Sequence, residues 1–341
     1  MEATTHTPLF SSLAALCQQT FSLPVAGVDP AAVTAPWCLT LLTAEVDAVQ
    51  LEKLAEFLRE CRWNIAAVDI LAARPGCSVV RLQLEGDIAF NEARLALLEL
   101  GQELGLELVL QAGHTQRAPK LACFDMDSTL IQAEVIDELA KIAGVGDQVA
   151  EITLSAMRGE LDFQQSFRKR MSLLKGFTEA SLAEIAPRIP LMPGAQRLLQ
   201  ALRALGCKTA ILSGGFTYFA HYLRDNHLAV DFVHANQLEF DGGALTGGVI
   251  DPIVDGARKA QLLQEIASDL GLSLDQVIAV GDGANDLPML ALGALGIAFH
   301  AKPKVRAEAP QAIDGFGLDA ALYLFGLNDR QINALLGESA G

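Results

Sequence analysis

The chain has 341 residues, 25 Lys and Arg against 41 Asp and Glu, and a formal net charge of −16 at pH 7. That balance excludes a nucleic-acid surface, which needs clustered cations, though it leaves room for a local basic pocket for a small anion. A hydrophobic share of 51% and a charged share of 19% exclude a disordered chain, and the length allows two domains with an insertion in one.

Residues 1–37 carry little periodic signal beyond a short apolar helix around Phe10 to Cys17, and this leader is left unassigned. It shows no basic segment followed by an apolar core, and no apolar run reaches the roughly 18 residues of a membrane helix. The six cysteines are scattered without CxxC spacing, as expected of reduced thiols. These features predict a cytoplasmic chain with no membrane partner.

From residue 38 the pattern becomes regular. "CLTLLTA", "IAAVDILA", "CSVVRLQLEG" and "LELVLQ" have the apolar character of strands, and "DAVQLEKLAEFLREC" and "NEARLALLELGQELG" have helical spacing. The order βαββαβ over 38–112 predicts a small ferredoxin-like sandwich. The polar stretch 113–120 reads as a linker.

Beyond it, over 121–330, short apolar strands alternate with helices: "LACFDM", "KTAILSG", "QVIAVGD" and "LGIAF". Strands apolar on both faces and separated by helices predict an α/β domain with a doubly wound parallel sheet of Rossmann type. Between the first two strands, residues 135–191 are helical throughout and predict an inserted cap. "QLEFDGGALTGGV" predicts a β-hairpin; it lacks the GK[ST] ending of a nucleotide loop.

Ligands of such sheets bind beyond the carboxyl ends of the strands. Polar clusters fall there: Asp125 and Asp127 after "LACF", Ser213 and Gly214 after "TAIL", and Asp282, Asn285 and Asp286 after "VIAV". Lys259 opens a helix just before the last of these strands. Two neighbouring aspartates become stable when they share a hard cation, and Mg²⁺ takes one or two carboxylates with phosphate oxygens and water. Lysine, serine and glycine N–H groups supply donors for the remaining phosphate oxygens, which outlines a phosphoryl-transfer site. Alone, the aspartates would read as helix caps and Lys259 as a solvated residue; their order along the chain favours the site. The six histidines show no metal-ligand spacing.

In their order, "DMDST", "SGG", Lys259 and "GDGANDLPML", these motifs resemble those of the haloacid dehalogenase-like phosphatases. Within that family the likeness is greatest to the phosphoserine phosphatases, through Glu134, "AMRGELDFQQSFRKRMSLLKG" and "ILSGGF". The first sandwich resembles the ACT-type fold that precedes such domains. The resemblance implies Mg²⁺-dependent hydrolysis of O-phospho-L-serine, the last step of serine biosynthesis, through an aspartyl-phosphate. Asp125 would be the nucleophile and Asp127 the acid and base, with Mg²⁺ held by Asp125, the Asp127 carbonyl and Asp282, and supported by Asp286. Ser213, Gly214, Lys259 and Asn285 would hold the phosphoryl group. In the cap, Arg170 would grip the substrate carboxylate, Glu134 would meet its ammonium, and Met157 and Phe163 would exclude water. The alternatives are a related phosphatase or phosphotransferase for another small metabolite, or a dominant sensing role for the first sandwich. A homodimer is compatible with the sequence.

Overall fold

The computed structural model describes residues 8–26 and 33–338; His6 and the rest of the leader, 1–7 and 27–32, lie outside the described residues. The chain begins with α1 (Pro8–Phe21), β1 (Val25–Ala26), β2 (Trp37–Thr43), α2 (Ala48–Glu60), β3 (Asn64–Arg74), β4 (Cys77–Glu85), α3 (Phe90–Leu104) and β5 (Glu107–Ala112). These strands pair in the order β1-β3-β4-β2-β5, antiparallel except for β1 on β3. The four longer strands have the arrangement of a ferredoxin-like sandwich. The short apolar helix at Phe10–Cys17 belongs to α1, which covers the same sheet with Leu13 and Cys17 buried.

After Gly113–Thr115, one turn of 3₁₀ helix, the second part runs through β6 (Leu121–Phe124), α4 (Val135–Ile142), α5 (Gly146–Met157), α6 (Phe163–Leu173), α7 (Glu179–Ile185) and α8 (Ala195–Ala204). It continues with β7 (Lys208–Phe216), α9 (Thr217–Leu223), β8 (Phe232–Asn236), β9 (Leu238–Asp241), β10 (Ala244–Val249) and α10 (Gly256–Asp269). It closes with β11 (Val277–Gly281), α11 (Leu287–Leu290), β12 (Leu295–Phe299), α12 (Pro303–Glu308), β13 (Gln311–Ile313), α13 (Ala321–Leu324) and α14 (Asp329–Leu336).

Six of these strands form a parallel sheet in the order β13-β12-β11-β6-β7-β8, with β6 and β11 at its centre. Every residue of β6 and β11 is buried, and alternation decides only which face each one serves. Ala122, Phe124, Ile278 and Val280 point to one apolar core; Leu121, Cys123, Val277 and Ala279 point to the other. The edge strands β8 and β13 have no continuous apolar run, so the sequence pattern conceals them.

Helices α4 to α7 form the cap expected between the first two strands of this sheet. The hairpin of β9 and β10 joins it: Gly176 N donates to Leu245 O and Leu245 N to Phe177 O, each at 2.8 Å. The cap docks through aromatic rings. Phe163 stacks on Phe167 at 6.1 Å, and Phe167 lies 6.0 Å from Phe216 at the end of β7.

The two parts share a core. Leu42, Leu71, Val79 and Val109 on the helix-free face of the first sheet lie in the cluster that holds Phe124, Tyr323 and Phe325. Polar ties surround it: Gln111 Nε2 donates to Leu324 O at 3.0 Å, and Tyr323 Oη donates to Asp329 at 2.6 Å. Arg81, buried and 2.8 Å from Asp69, also donates to Gln116 at 3.1 Å where the linker leaves the sheet.

A core spanning both parts predicts one cooperative transition. Leu42→Ala, which opens a cavity at that junction, should cost about 2–5 kcal/mol, read by chemical denaturation. Calorimetry should show a single peak for the unaltered chain.

Candidate active site

The carboxyl ends of β6, β7 and β11 open into a cleft of about 1090 Å³ roofed by the cap. Asp125 and Asp127 leave β6, Gly214 and Gly215 end β7, and Asp282, Gly283 and Asn285 follow β11; all line the cleft. From the cap come Glu134 at the start of α4, Met157 at the end of α5, and Phe163 and Arg170 on α6. The structure thus gathers nearly every predicted residue around one space.

Three predicted residues lie beneath it. Ser213, Lys259 and Asp286 are fully buried and absent from the cleft surface. Lys259 Nζ donates to Asp286 Oδ1 at 2.7 Å and forms an ion pair with Asp125 Oδ1 at 2.7 Å, outside hydrogen-bond alignment. Ser213 Oγ accepts from Gly215 N at 2.9 Å. The glycines are required for close approach. A Cβ on Gly214 would meet the Phe163 ring at 2.9 Å, and one on Gly215 would meet Asp127 Oδ2 at 2.8 Å.

The haloacid dehalogenase-like hydrolase profile matches residues 119–293, which hold the sheet ends and the cap. The chain is 43% identical to the phosphoserine phosphatase of Haemophilus influenzae over 83% of this chain and 87% of that one. The chain belongs to the haloacid dehalogenase-like hydrolases. Among solved structures, a hydrolase of this family from Salmonella enterica serovar Typhi superposes with a TM-score of 0.76 at 32% identity, over 84% of this chain and 98% of that one. A probable phosphoserine phosphatase from Vibrio cholerae superposes with a TM-score of 0.68 at 34% identity, over 92% of each.

As a hydrolase of this family the chain carries an unbalanced charge at its centre. One lysine serves two buried carboxylates, and Asp127 and Asp282 add two more. Burial, then Asp286, raises the Asp125 carboxyl to about 7 against the pull of Lys259. Burial, then Asp125, Asp286 and Glu134, raises Asp282 to about 8. Asp127 rises well above its ordinary value through burial, Glu134 and Asp125. Lys259 is driven upward: burial disfavours its charge, but Asp125 and Asp286 more than offset that.

A divalent cation fits this donor set. Oxygens of Asp125, Asp282 and Asp286 lie within 4.8 Å of one another, and Asp127 Oδ1 is buried without a partner. Asp286 spends one oxygen on Lys259 and the other on Gly283 N at 2.9 Å, so it braces the cluster. Asp282 keeps one oxygen free of the bond from Thr129 Oγ1 at 3.1 Å.

Several supporting residues escaped the sequence reading. Thr129 is fully buried and aims Asp282. Ser128, at φ +56°, donates to Glu134 Oε1 at 2.8 Å. Glu134 touches solvent through the cleft, yet the surrounding walls are close enough that burial raises its carboxyl. Asn236 joins Gly214 O to Val254 N, each at 2.8 Å. Asp255 caps α10 through Arg258 N at 2.9 Å and takes the cap's Gln164 amide at 2.7 Å. Only Thr129 and Ser128 carried a signal, their place inside "DMDST". No group of the described residues besides Asp125, Asp282 and Asp286 gathers three such metal ligands.

The shifts set a pH dependence. Asp125 and Asp282 bind protons more tightly folded than unfolded, where they titrate near 3.8. The cation-free chain therefore loses stability as pH rises between about 4 and about 8. A cation that takes the place of those protons stabilises more at higher pH. Calorimetry should show a larger Mg²⁺-induced rise in Tm at about pH 8 than at about pH 6, with protons released on binding. An equal rise at both values would contradict this balance.

Proposed function

We propose that this hydrolase is a phosphoserine phosphatase, converting O-phospho-L-serine and water to L-serine and phosphate with Mg²⁺ as its cation, in the cytoplasm. One juxtaposition carries the reading: Glu134 and Arg170 share a cleft with Asp125 and Asp127. A phosphorylated amino acid has an ammonium, a carboxylate and a phosphate, and the cleft supplies a counterpart for each. A sugar phosphate would leave Glu134 and Arg170 unused.

Asp125 attacks phosphorus, and the bond from phosphorus to the serine oxygen breaks as Asp127 gives that oxygen its proton. The raised Asp127 carboxyl suits it to hold a proton until then. Asp127 then takes a proton from water, which attacks the phosphoryl group on Asp125, releases phosphate and restores the carboxylate. Lys259, 2.7 Å from Asp125, balances charge there throughout. Asp125, Asp282 and the Asp127 carbonyl would hold the cation, which supplies positive charge to carboxylate and phosphate oxygens together. Ser213 would donate its hydroxyl proton to a phosphoryl oxygen while accepting from Gly215 N, and Gly214 and Asn285 would line the same pocket.

Arg170 has a buried Nε without a partner, and burial lowers its pKa against the pull of Asp137, Glu134 and Asp127. A substrate carboxylate supplies the missing acceptor. Ser128 occupies Glu134 Oε1 and leaves Oε2 for the ammonium. Met157, 62% exposed, would cover the cleft with Phe163 when substrate is held. The same reading takes the amino-terminal sheet as an ACT-like unit, with α1 extending it upstream of residue 38, joined by the linker 113–120 to the phosphatase unit.

Phosphate release should depend on Mg²⁺ and vanish in Asp125→Asn. Arg170→Ala should lower kcat/KM for phosphoserine by about 10- to 100-fold, the worth of one charge-assisted pair, and leave p-nitrophenyl phosphate within a few-fold. Faster hydrolysis of phosphoglycolate or a hexose phosphate than of phosphoserine would overturn the substrate.

A further inference from the structure

Seven carboxylates line the cleft, from Asp125 to Asp282, against two cations, Arg170 and Lys302. O-phosphoserine itself carries a net charge of about −2 near neutrality. The chain as a whole is at −16. Even a bound dication leaves the lining negative, so an anionic substrate meets repulsion before it meets any contact.

The cations of the site are unequal to that task. Lys259 is fully buried and held by two carboxylates. Arg170 is sunk in the cap wall and already faces Asp137, Glu134 and Asp127. Lys302 differs from both. It follows β12, the neighbour of β11 in the sheet, and stands just ahead of α12 at the carboxyl edge. Its side chain is exposed, and among the described residues no carboxylate lies within ion-pair distance of its ammonium. Among the described residues it is the one exposed cation of the lining.

We propose that Lys302 is the electrostatic guide of this cleft, a positioning residue that draws the anionic substrate in against the carboxylate field and takes no part in bond breaking. Such attraction acts over a Debye length and raises capture, not the chemical step. This rests on the phosphatase reading.

The test compares the full-length Mg²⁺-loaded chain with Lys302→Gln and Lys302→Arg, on phosphoserine and on p-nitrophenyl phosphate, from low salt to roughly 0.5 M, where the Debye length is about 4 Å. At low salt, Lys302→Gln should lose roughly three- to tenfold in kcat/KM with kcat within twofold. The loss should fade at high salt, and Lys302→Arg should behave as the unaltered chain does. Equal kcat/KM at low salt would overturn the proposal. So would a loss that persists at high salt together with a fall in kcat, which would make Lys302 a contact in the reaction. A chain that hydrolyses only p-nitrophenyl phosphate would overturn the substrate reading while the salt series on that ester still decides the role of Lys302.

Discussion

Lys259 lies 2.7 Å from Asp125 and 2.7 Å from Asp286, with none of its surface open to solvent. One buried positive charge between two negative ones is an incomplete arrangement, and Asp127 and Asp282 deepen the deficit. A buried charge without compensation costs several kcal/mol, so the folded chain holds protons at Asp125 and Asp282 far above their ordinary range. A hard dication resolves the same deficit with the carboxylates ionised. The strain of gathering like charges is thereby turned toward binding a cation, which leaves the Asp125 carboxylate ionised, as the proposed role of nucleophile requires.

The rest of the fold keeps that cluster in place. β6 and β11 pair at the centre of the parallel sheet, so Asp125 and Asp282 emerge side by side from fully buried strands. Asp286 is held by Lys259 and Gly283, and Thr129 steadies Asp282. The cap reaches over through Phe163, which can approach β7 because residue 214 is a glycine. Asp255 ties the cap to the helix that carries Lys259, since its two oxygens serve Arg258 N and Gln164. A change in the cap is therefore one carboxylate away from the helix of Lys259.

Much of this was legible in the sequence because the central strands are continuous apolar runs, each ending in a polar cluster. "LACF" before Asp125 and "VIAV" before Asp282 mark both a strand and a site. The βαββαβ pattern and the helical cap were equally plain from periodicity. What the pattern concealed was short or mixed in character. β8 carries partly exposed residues around His234, and β13 has three residues. α1 was recognisable only as a fragment because its burial comes from packing on the first sheet. The depth of Ser213 and Lys259 beneath the cleft, and the bonds from Thr129 and Ser128, depend on three-dimensional placement. Lys302 carried no local signal either; its meaning comes from the negative cleft that it borders.

On the phosphatase reading proposed above, Asp125 carries the phosphoryl group. Rapid acid quench of the Mg²⁺-loaded chain with phosphate-labelled O-phosphoserine, followed by peptide mapping, tests it directly. The account predicts label on the peptide that contains Asp125, sensitive to hydroxylamine, forming within a single turnover and absent from Asp125→Asn. Turnover without protein-bound phosphate, or label on Ser213 instead, would contradict it.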